Sequence, residues 1–296
     1  HVECADRIAL GYLGRVGVGL GRRQRIPATA IFQTNYVEYL HDYKNDVPWA
    51  KVPGIVPIMR VFTTWVYNGY DVTMVTTPHM QEKLSRWGIR NLRLDQFIGV
   101  DEQTFHPVER PKDAPLTLTY IGRFTADKQT EILMQALAIV DKEVPGCRFV
   151  LVGDGMDREK MEAWAKNYPG TVMPGRIPYA DLPPYYQNSD IFVTASTREV
   201  RPLTVQEAMA CGVPVVAPAA GGILDQVQDG VNGLLVAPYD AQALAEALLR
   251  LIRDPDLRHR LGRGGRAGIG AIGTWEYAAR AMLRIWEEIA EKKKDK

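Results

Sequence analysis

Ile191-Phe192-Val193-Thr194-Ala195-Ser196-Thr197-Arg198-Glu199-Val200-Arg201-Pro202-Leu203-Thr204-Val205-Gln206-Glu207-Ala208-Met209-Ala210-Cys211-Gly212-Val213-Pro214-Val215-Val216-Ala217 reads as strand, loop, helix and strand in succession. The apolar run at 191–194 leads into a polar loop ending near Glu199. Residues 202–210 then read as a short helix stopped by Gly212, and 213–217 as a second apolar strand. Apolar runs and amphipathic stretches alternate in the same way from Leu116 onward, the pattern of a parallel sheet flanked by helices. Further strands are predicted at 116–121, 149–152, 171–173 and 234–236, with helices at 131–143, 158–166 and 223–227. Asp240 and Asp254 are N-cap candidates for helices at 241–252 and 255–261, and Pro255 suits a first helical position.

Upstream, 28–32 and 72–76 read as strands and 36–43, 55–67 and 80–87 as helices, resembling half of a second α/β domain. Residues 100–115 are polar and proline-bearing, the composition of a linker. The expected division is an N-terminal domain over 1–110, a second domain over 111–273 and a C-terminal helix with a basic tail over 274–296. Thr274 is the expected cap of that helix, Tyr277, Met282, Ile285 and Ile289 its apolar contacts, and Lys292 to Lys296 a solvated tail.

Composition narrows the function classes. In 296 residues, 46% are hydrophobic and 24% charged, which excludes a disordered or fibrous chain. Lys and Arg number 36 against 35 Asp and Glu, so no global field points to nucleic acid. Any anion must be bound locally. Cys4, Cys147 and Cys211 are widely separated, odd in number and without metal-ligand spacing, which suits a reducing, cytoplasmic compartment. The most apolar stretch, 52–67, is interrupted by Pro53, Pro57 and Arg60 and is a poor membrane span. The chain opens on His1-Val2-Glu3, which looks like a strand already under way, so an N-terminal truncation is expected.

Glu199 and Glu207 stand eight positions apart across the strand-to-helix junction, Glu199 before the helix and Glu207 inside it, about 7 to 8 Å along the axis from its start at Pro202 at 1.5 Å per residue. Upstream, Gly122-Arg123-Phe124-Thr125-Ala126-Asp127-Lys128 puts two cations where another strand meets another helix. Carboxylates suit sugar hydroxyls. Arg and Lys near helix N-termini suit phosphate, where free N–H groups and the helix dipole also attract anions. Together they point to a nucleotide-sugar site. Taken singly, each has a plainer reading: an exposed Arg and Lys on a loop, Glu199 as a loop cap, Glu207 as a solvated helix residue.

These residues carry a resemblance. Gly122-Arg123 with Lys128, Leu151-Val152-Gly153-Asp154-Gly155, Glu199 with the run from Glu207 to Val216, and Gly221-Gly222 followed by Asp229-Gly230-Val231-Asn232-Gly233-Leu234-Leu235-Val236 resemble the motifs of family 4 retaining glycosyltransferases of the GT-B fold. Phe32-Gln33-Thr34-Asn35-Tyr36 and Ile98-Gly99-Val100-Asp101 with Phe105-His106-Pro107 continue it more weakly. The resemblance implies an α/β protein of two facing Rossmann-like domains, the N-terminal one incomplete here. It implies a donor UDP-sugar or GDP-sugar, no cofactor and no metal. Arg123 and Lys128 would neutralise the donor diphosphate, Glu199 would contact the donor sugar and Glu207 the ribose diol. Gly175, Arg176 and Ile177 would lie near the base. Gly122, Leu203 and Thr204 complete the expected donor site, and Gln33, Asn35 and Tyr36 the acceptor side. Transfer would retain configuration, the leaving diphosphate helping to deprotonate the acceptor on the same face.

Three departures from that pattern stand out. Arg201-Pro202 occupies the place of the family's usual Phe-Gly, and proline offers no backbone donor. Gln33 stands where a histidine is usual, and an amide cannot become cationic. The opening strand and glycine-rich acceptor loop have no counterpart, so a missing piece of ~90 residues, three βα units, is expected.

The remaining features have plainer readings. His41, His79, His106 and His259 are scattered, without metal-ligand partners. Tyr36, Tyr39 and Tyr43 make a helix stripe better suited to packing than to an acceptor. Residues 52–67, with Ile55, Met59, Phe62 and Trp65, read first as an internal helix and second as a peripheral membrane contact. Gly14-Arg15-Val16-Gly17-Val18-Gly19-Leu20-Gly21 imitates a dinucleotide loop without a convincing strand before it. The leading expectation is a retaining, metal-independent hexosyltransferase acting on a glycan or lipid-linked hydroxyl, in the cytoplasm or on the cytoplasmic face of a membrane. A non-catalytic nucleotide-sugar-binding protein and a GT-B epimerase or phosphorylase are the alternatives. Base, sugar and acceptor stay open at this level, and the sequence sets no oligomeric state.

Overall fold

The computed structural model describes residues 2–4, 12–38, 52–111 and 113–294. Its contacts fall into two units, one of His1–Gly99 with Gly273–Lys296 and one of Val100–Ile272.

In the first unit, among the described residues, β1 (Val2–Cys4), β2 (Ala28–Ile31), β3 (Val72–Val75) and β4 (Leu92–Leu94) form a four-stranded parallel sheet in chain order. Parallel neighbours need crossovers, and α1 (Tyr12–Gln24), α2 (Ile55–Tyr67) and α3 (Pro78–Trp87) belong to them. α3 starts two residues before its predicted limit because Thr77 caps it, its hydroxyl accepting from Met80 N at 3.3 Å with Pro78 behind it. The glycine alternation at 14–21 is helix, not phosphate loop. Gly14, Val18 and Gly21 form its buried face, so tertiary packing offsets the poor helix propensity of glycine. The predicted helix at 36–43 is seen to begin at 36–38, and Tyr39, His41 and Tyr43 lie outside the described residues.

In the second unit, β5 (Thr117–Ile121), β6 (Arg148–Val152), β7 (Thr171–Gly175), β8 (Ile191–Val193), β9 (Val215–Pro218) and β10 (Gly233–Val236) form a six-stranded parallel sheet. Its order is β10-β9-β8-β5-β6-β7, so the chain winds one way from β5 to β7 and the other from β8 to β10. The helices are α4 (Thr130–Glu143), α5 (Arg158–Ala165), α6 (Pro183–Gln187), α7 (Leu203–Ala210), α8 (Ala241–Arg253) and α9 (Pro255–Ile272). Strand periodicity splits the core. Phe149 and Leu151 join Leu133 and Leu137 of α4 and Leu244 and Leu248 of α8, while Val150 and Val152 join Tyr186, Val205 and Met209. Two Rossmann-like α/β domains, the second of them doubly wound, as in the GT-B fold, agree with the expected fold class.

Several boundaries moved for identifiable reasons. The change of unit falls after Gly99 and not near Pro111, because Val100 and Phe105 are buried in the second core. The helix predicted at 223–227 is a single 3-10 turn, Gly221–Ile223. Asp240 and Asp254 cap as predicted, each accepting at 2.9 Å, from Ala243 N and Leu257 N. However, α9 runs on to Ile272 through a row of glycines. A Cβ on Gly262 would stand 2.1 Å from the Gly212 carbonyl oxygen and one on Gly264 2.2 Å from that of Val231, so the helix rests directly on backbone.

The last helix, α10 (Trp275–Lys294), was expected as a separate segment and instead belongs to the first unit. Ala281, Ile285 and Ile289 pack on Ile31, Val72, Met74 and Phe97, and Arg93 donates to both Glu288 carboxylate oxygens at 2.8 Å. Thr274 caps it as predicted, accepting from Tyr277 N at 3.2 Å. The expected solvated tail is helical through Lys294, with Lys292 paired to Glu288. No helix among the described residues is long and apolar enough to cross a membrane.

Candidate functional site

A doubly wound sheet has one place where the chains leaving two neighbouring strands diverge, and the crevice beyond those strand ends is its natural ligand site. Here the neighbours are β5 and β8, paired through Leu118 with Ile191 and Thr119 with Phe192. Arg123 and Lys128 follow β5. Glu199 follows β8. The sheet order therefore brings Glu199 to Arg123 and Lys128, from which the chain separates it by more than seventy positions.

The contact is direct. Lys128 Nζ lies 2.6 Å from Glu199 Oε1 and 3.7 Å from Asp127 Oδ2, and Arg123 Nη2 donates to the same Asp127 oxygen at 2.9 Å. Asp127 is fully buried and also accepts from the Thr125 hydroxyl at 2.6 Å. All of this hangs on one 3-10 turn, Ala126–Lys128, entered from extended Thr125 and left through Gln129 in a left-handed conformation at φ 52°. Asp127 Oδ2 thus meets both cations, while Oδ1 is held by Thr125. The cluster is two positive and two negative charges with the cations oriented before any anion arrives.

Glycines let the loops close on one another. Gly153 has φ 149°, and a Cβ there would fall 1.8 Å from the Gly122 carbonyl oxygen. Gly122 N in turn donates to Val152 O at 3.0 Å, and Phe124 N to Asp154 O at 2.9 Å, tying the loops after β5 and β6 together. On the other side, Gly222 N donates to Glu199 O at 2.7 Å, fixing the backbone that carries the glutamate.

Glu207 behaves differently from Glu199. It sits inside α7, 2% exposed, and its Oε2 accepts from the Tyr186 hydroxyl at 2.5 Å. A solvated helix residue is excluded. Burial pushes its carboxyl up to about 7, opposed by the phenol's hydrogen bond. Burial and the Glu207 charge in turn push the Tyr186 phenol far above its ordinary range. Cys211, one turn on, is pushed up to about 12 by burial and Glu207, so it is a packed thiol and not a nucleophile.

The other predicted residues are placed as follows. Leu203 and Thr204 open α7 immediately after Pro202. Gly175 ends β7 and accepts from Gly153 N at 2.9 Å, Arg176 is exposed, and Ile177 packs on the core. Gln33, Asn35 and Tyr36 follow β2 in the first unit. Gln33 is exposed, and the buried Asn35 side chain accepts from Glu38 N at 3.4 Å. Arg201 is half-buried, and burial lowers its guanidinium pKa while Asp225 raises it. A cavity of about 1460 Å³ in the second unit is lined by Arg110, Leu116, Asp190 and Pro214, which precede strands, with Arg258 and Arg263 of α9, and by none of the site residues. Its position at the wrong ends of the strands separates it from the switch point. Among the described residues no group of three His, Cys, Asp or Glu side chains is placed to hold a metal.

Sequence reasoning missed Asp127, Tyr186 and Tyr120, whose hydroxyl donates to Arg123 O at 2.8 Å. Asp127 lies inside the loop Gly122 to Lys128. Its signal was the spacing Arg-x-x-x-Asp-Lys, a carboxylate beside two cations. Tyr186 had no local signal, since it meets Glu207 only across the fold.

The sequence profile of glycosyl transferases group 1 matches residues 101–268. This chain belongs to that family. Among curated relatives, it is 30% identical over 306 residues to the GDP-mannose-dependent alpha-mannosyltransferase of Mycolicibacterium smegmatis, covering 97% of this chain and 73% of the relative. Among solved structures it resembles sucrose-phosphate synthase from Thermosynechococcus elongatus, with a TM-score of 0.78, 28% identity, and 93% of this chain and 71% of that one covered. Anabaena HepE in complex with UDP-glucose shares the fold, with a TM-score of 0.78, 20% identity, and 97% and 78% covered. The family member spans 65%, 73% and 64% of three curated relatives' lengths.

Proposed function

We propose that this group 1 family member is a retaining glycosyltransferase of the family 4 type. It moves a hexose from a UDP- or GDP-sugar to a hydroxyl of a glycan or lipid-linked acceptor without a metal. The observation that carries the reading is the Arg123–Asp127–Lys128–Glu199 cluster at the switch point of the second sheet. A departing nucleoside diphosphate gains negative charge as the glycosidic bond breaks. Cations already held in place by Asp127 stabilise that charge without reorganising, which lowers the barrier and not merely the ground state. Glu199, tied to Lys128, is set to meet sugar hydroxyls, and buried Glu207 to accept from the ribose diol as a carboxylate. The named donor of the Mycolicibacterium relative supports a guanosine sugar, and the UDP-glucose complex of HepE supports a uridine one. Cys147 and Cys211, both free and buried, support a cytoplasmic location.

The test is a thermal-shift panel of UDP- and GDP-sugars on the chain, followed by assay of released UDP or GDP with candidate acceptors. A donor at a hundred times its Kd stabilises the fold by about 2.7 kcal/mol. Tight binding with no release under any acceptor would leave a nucleotide-sugar-binding protein. An altered sugar nucleotide formed without acceptor would make it an epimerase, and phosphate-dependent sugar phosphate a phosphorylase.

A further inference from the structure

In the first unit, α2 keeps Thr63, Val66 and Tyr67 against the sheet and turns Ile58, Val61, Phe62 and Trp65 outward. These occupy i, i+3, i+4 and i+7, one continuous stripe. Ile58 is 60% exposed, Val61 66% and Trp65 54%, whereas an ordinary surface helix would show polar side chains there. α1 runs alongside. Its Arg15 guanidinium lies 3.6 Å from the centre of the Trp65 ring, and Arg22 donates to Gly69 O at 3.0 Å, just beyond the end of α2. α1 adds exposed Val16 and Leu20 with Arg23 on the same helix side, and Arg25 and Arg60 are exposed as well. Neither helix contains an Asp or Glu.

We propose that α1 and α2 form a docking surface for an anionic lipid bilayer, with α2 lying in the plane of the interface. The apolar stripe enters the headgroup boundary, Trp65 sits at that boundary, and the arginines meet lipid phosphates. At 13 residues α2 is too short to span a bilayer but long enough to lie along one. A second copy of the chain fits less well, because a two-fold contact would set each arginine-rich face against its own like charge. The surface belongs to the first unit and the donor cluster to the second, and it holds or fails whatever the donor proves to be.

Sedimentation of the chain with vesicles tests it, using phosphatidylcholine alone against phosphatidylcholine with about a third phosphatidylglycerol. The expected result is binding to the anionic vesicles that weakens as salt rises. Arg15→Gln and Arg23→Gln each lower the partition coefficient roughly fivefold at low salt. Val61→Ser with Trp65→Ser lowers it by about tenfold or more, with an unchanged melting temperature because both side chains already face outward. Should that double variant unfold early, the two arginine variants decide alone. Absence of binding to anionic vesicles at low salt would overturn the proposal, and so would binding untouched by these substitutions. A concentration-dependent dimer lost in Val61→Ser with Trp65→Ser, without vesicle binding, would assign the face to a second copy instead.

Discussion

Lys128 reaches both Glu199 and Asp127, so its ammonium is aimed by two carboxylates at the point where β5 and β8 part. Removing it leaves the developing diphosphate charge to Arg123 alone. Lys128→Ala is predicted to lower turnover by ~10² or more, the scale of one lost oriented partner. Near-normal turnover would remove Lys128 from the reaction. Glu207 supplies a second prediction, with a sign that follows from its raised carboxyl pKa. A carboxyl that rises from 4.5 to about 7 on folding favours the folded state in its protonated form. Its contribution is whole below about pH 4.5 and is lost as pH climbs through about 7, a change of roughly 3 kcal/mol. Urea unfolding across pH 4.5 to 8 should therefore show the native chain losing about that much more than Glu207→Gln. Donor binding through the carboxylate should also release a proton near neutrality, readable by calorimetry in buffers of different ionisation enthalpy. Equal pH slopes in the two proteins would show that the carboxyl is not buried as described. The sequence offers the two glutamates as a pair, and the structure gives each its own partner, Lys128 for Glu199 and Tyr186 for Glu207. Their difference in burial was not legible, because Tyr186 is distant in sequence and only the sheet brings it near.

Elements of the second domain were the most readable, since apolar strands, Asp caps and a glycine stop are local signals that agree with the tertiary outcome. Where local and tertiary signals conflict, the reading failed. α1 and α9 hold glycines that argue against helix, yet in α9 those glycines are what allow close contact with the Gly212 and Val231 carbonyls. β4 and α6 are too short to show a period. α10 was recognised as a helix from its apolar spacing, but nothing local says which domain such a stripe will cover. Its contacts give an element-scale prediction: Ile285→Ala leaves a hole between α10 and the first sheet and should cost about 2 to 4 kcal/mol. Chemical denaturation of that variant checks it. A loss under about 0.5 kcal/mol would mean that the helix is not fastened to the sheet by this side chain.

At the scale of the molecule, each unit has its own parallel sheet and its own apolar core, and the charged cluster proposed to hold the donor lies in the second. Scanning calorimetry should accordingly resolve two transitions. A bound donor should raise the one belonging to the second unit, and Ile285→Ala should lower the other. A single transition moved equally by both would show that the units unfold as one.

The return of α10 to the first sheet also sets an order of assembly. During synthesis, Ile31, Met74 and Phe97 emerge long before the residues that cover them, and the whole second domain is made in between. The later-made domain can therefore finish folding while the earlier one still shows bare apolar surface, reversing the usual first-made, first-folded sequence of a two-domain chain. During that wait the nascent protein would depend on a chaperone, and a ribosome stalled before Trp275 would hold an opened first domain beside a finished second.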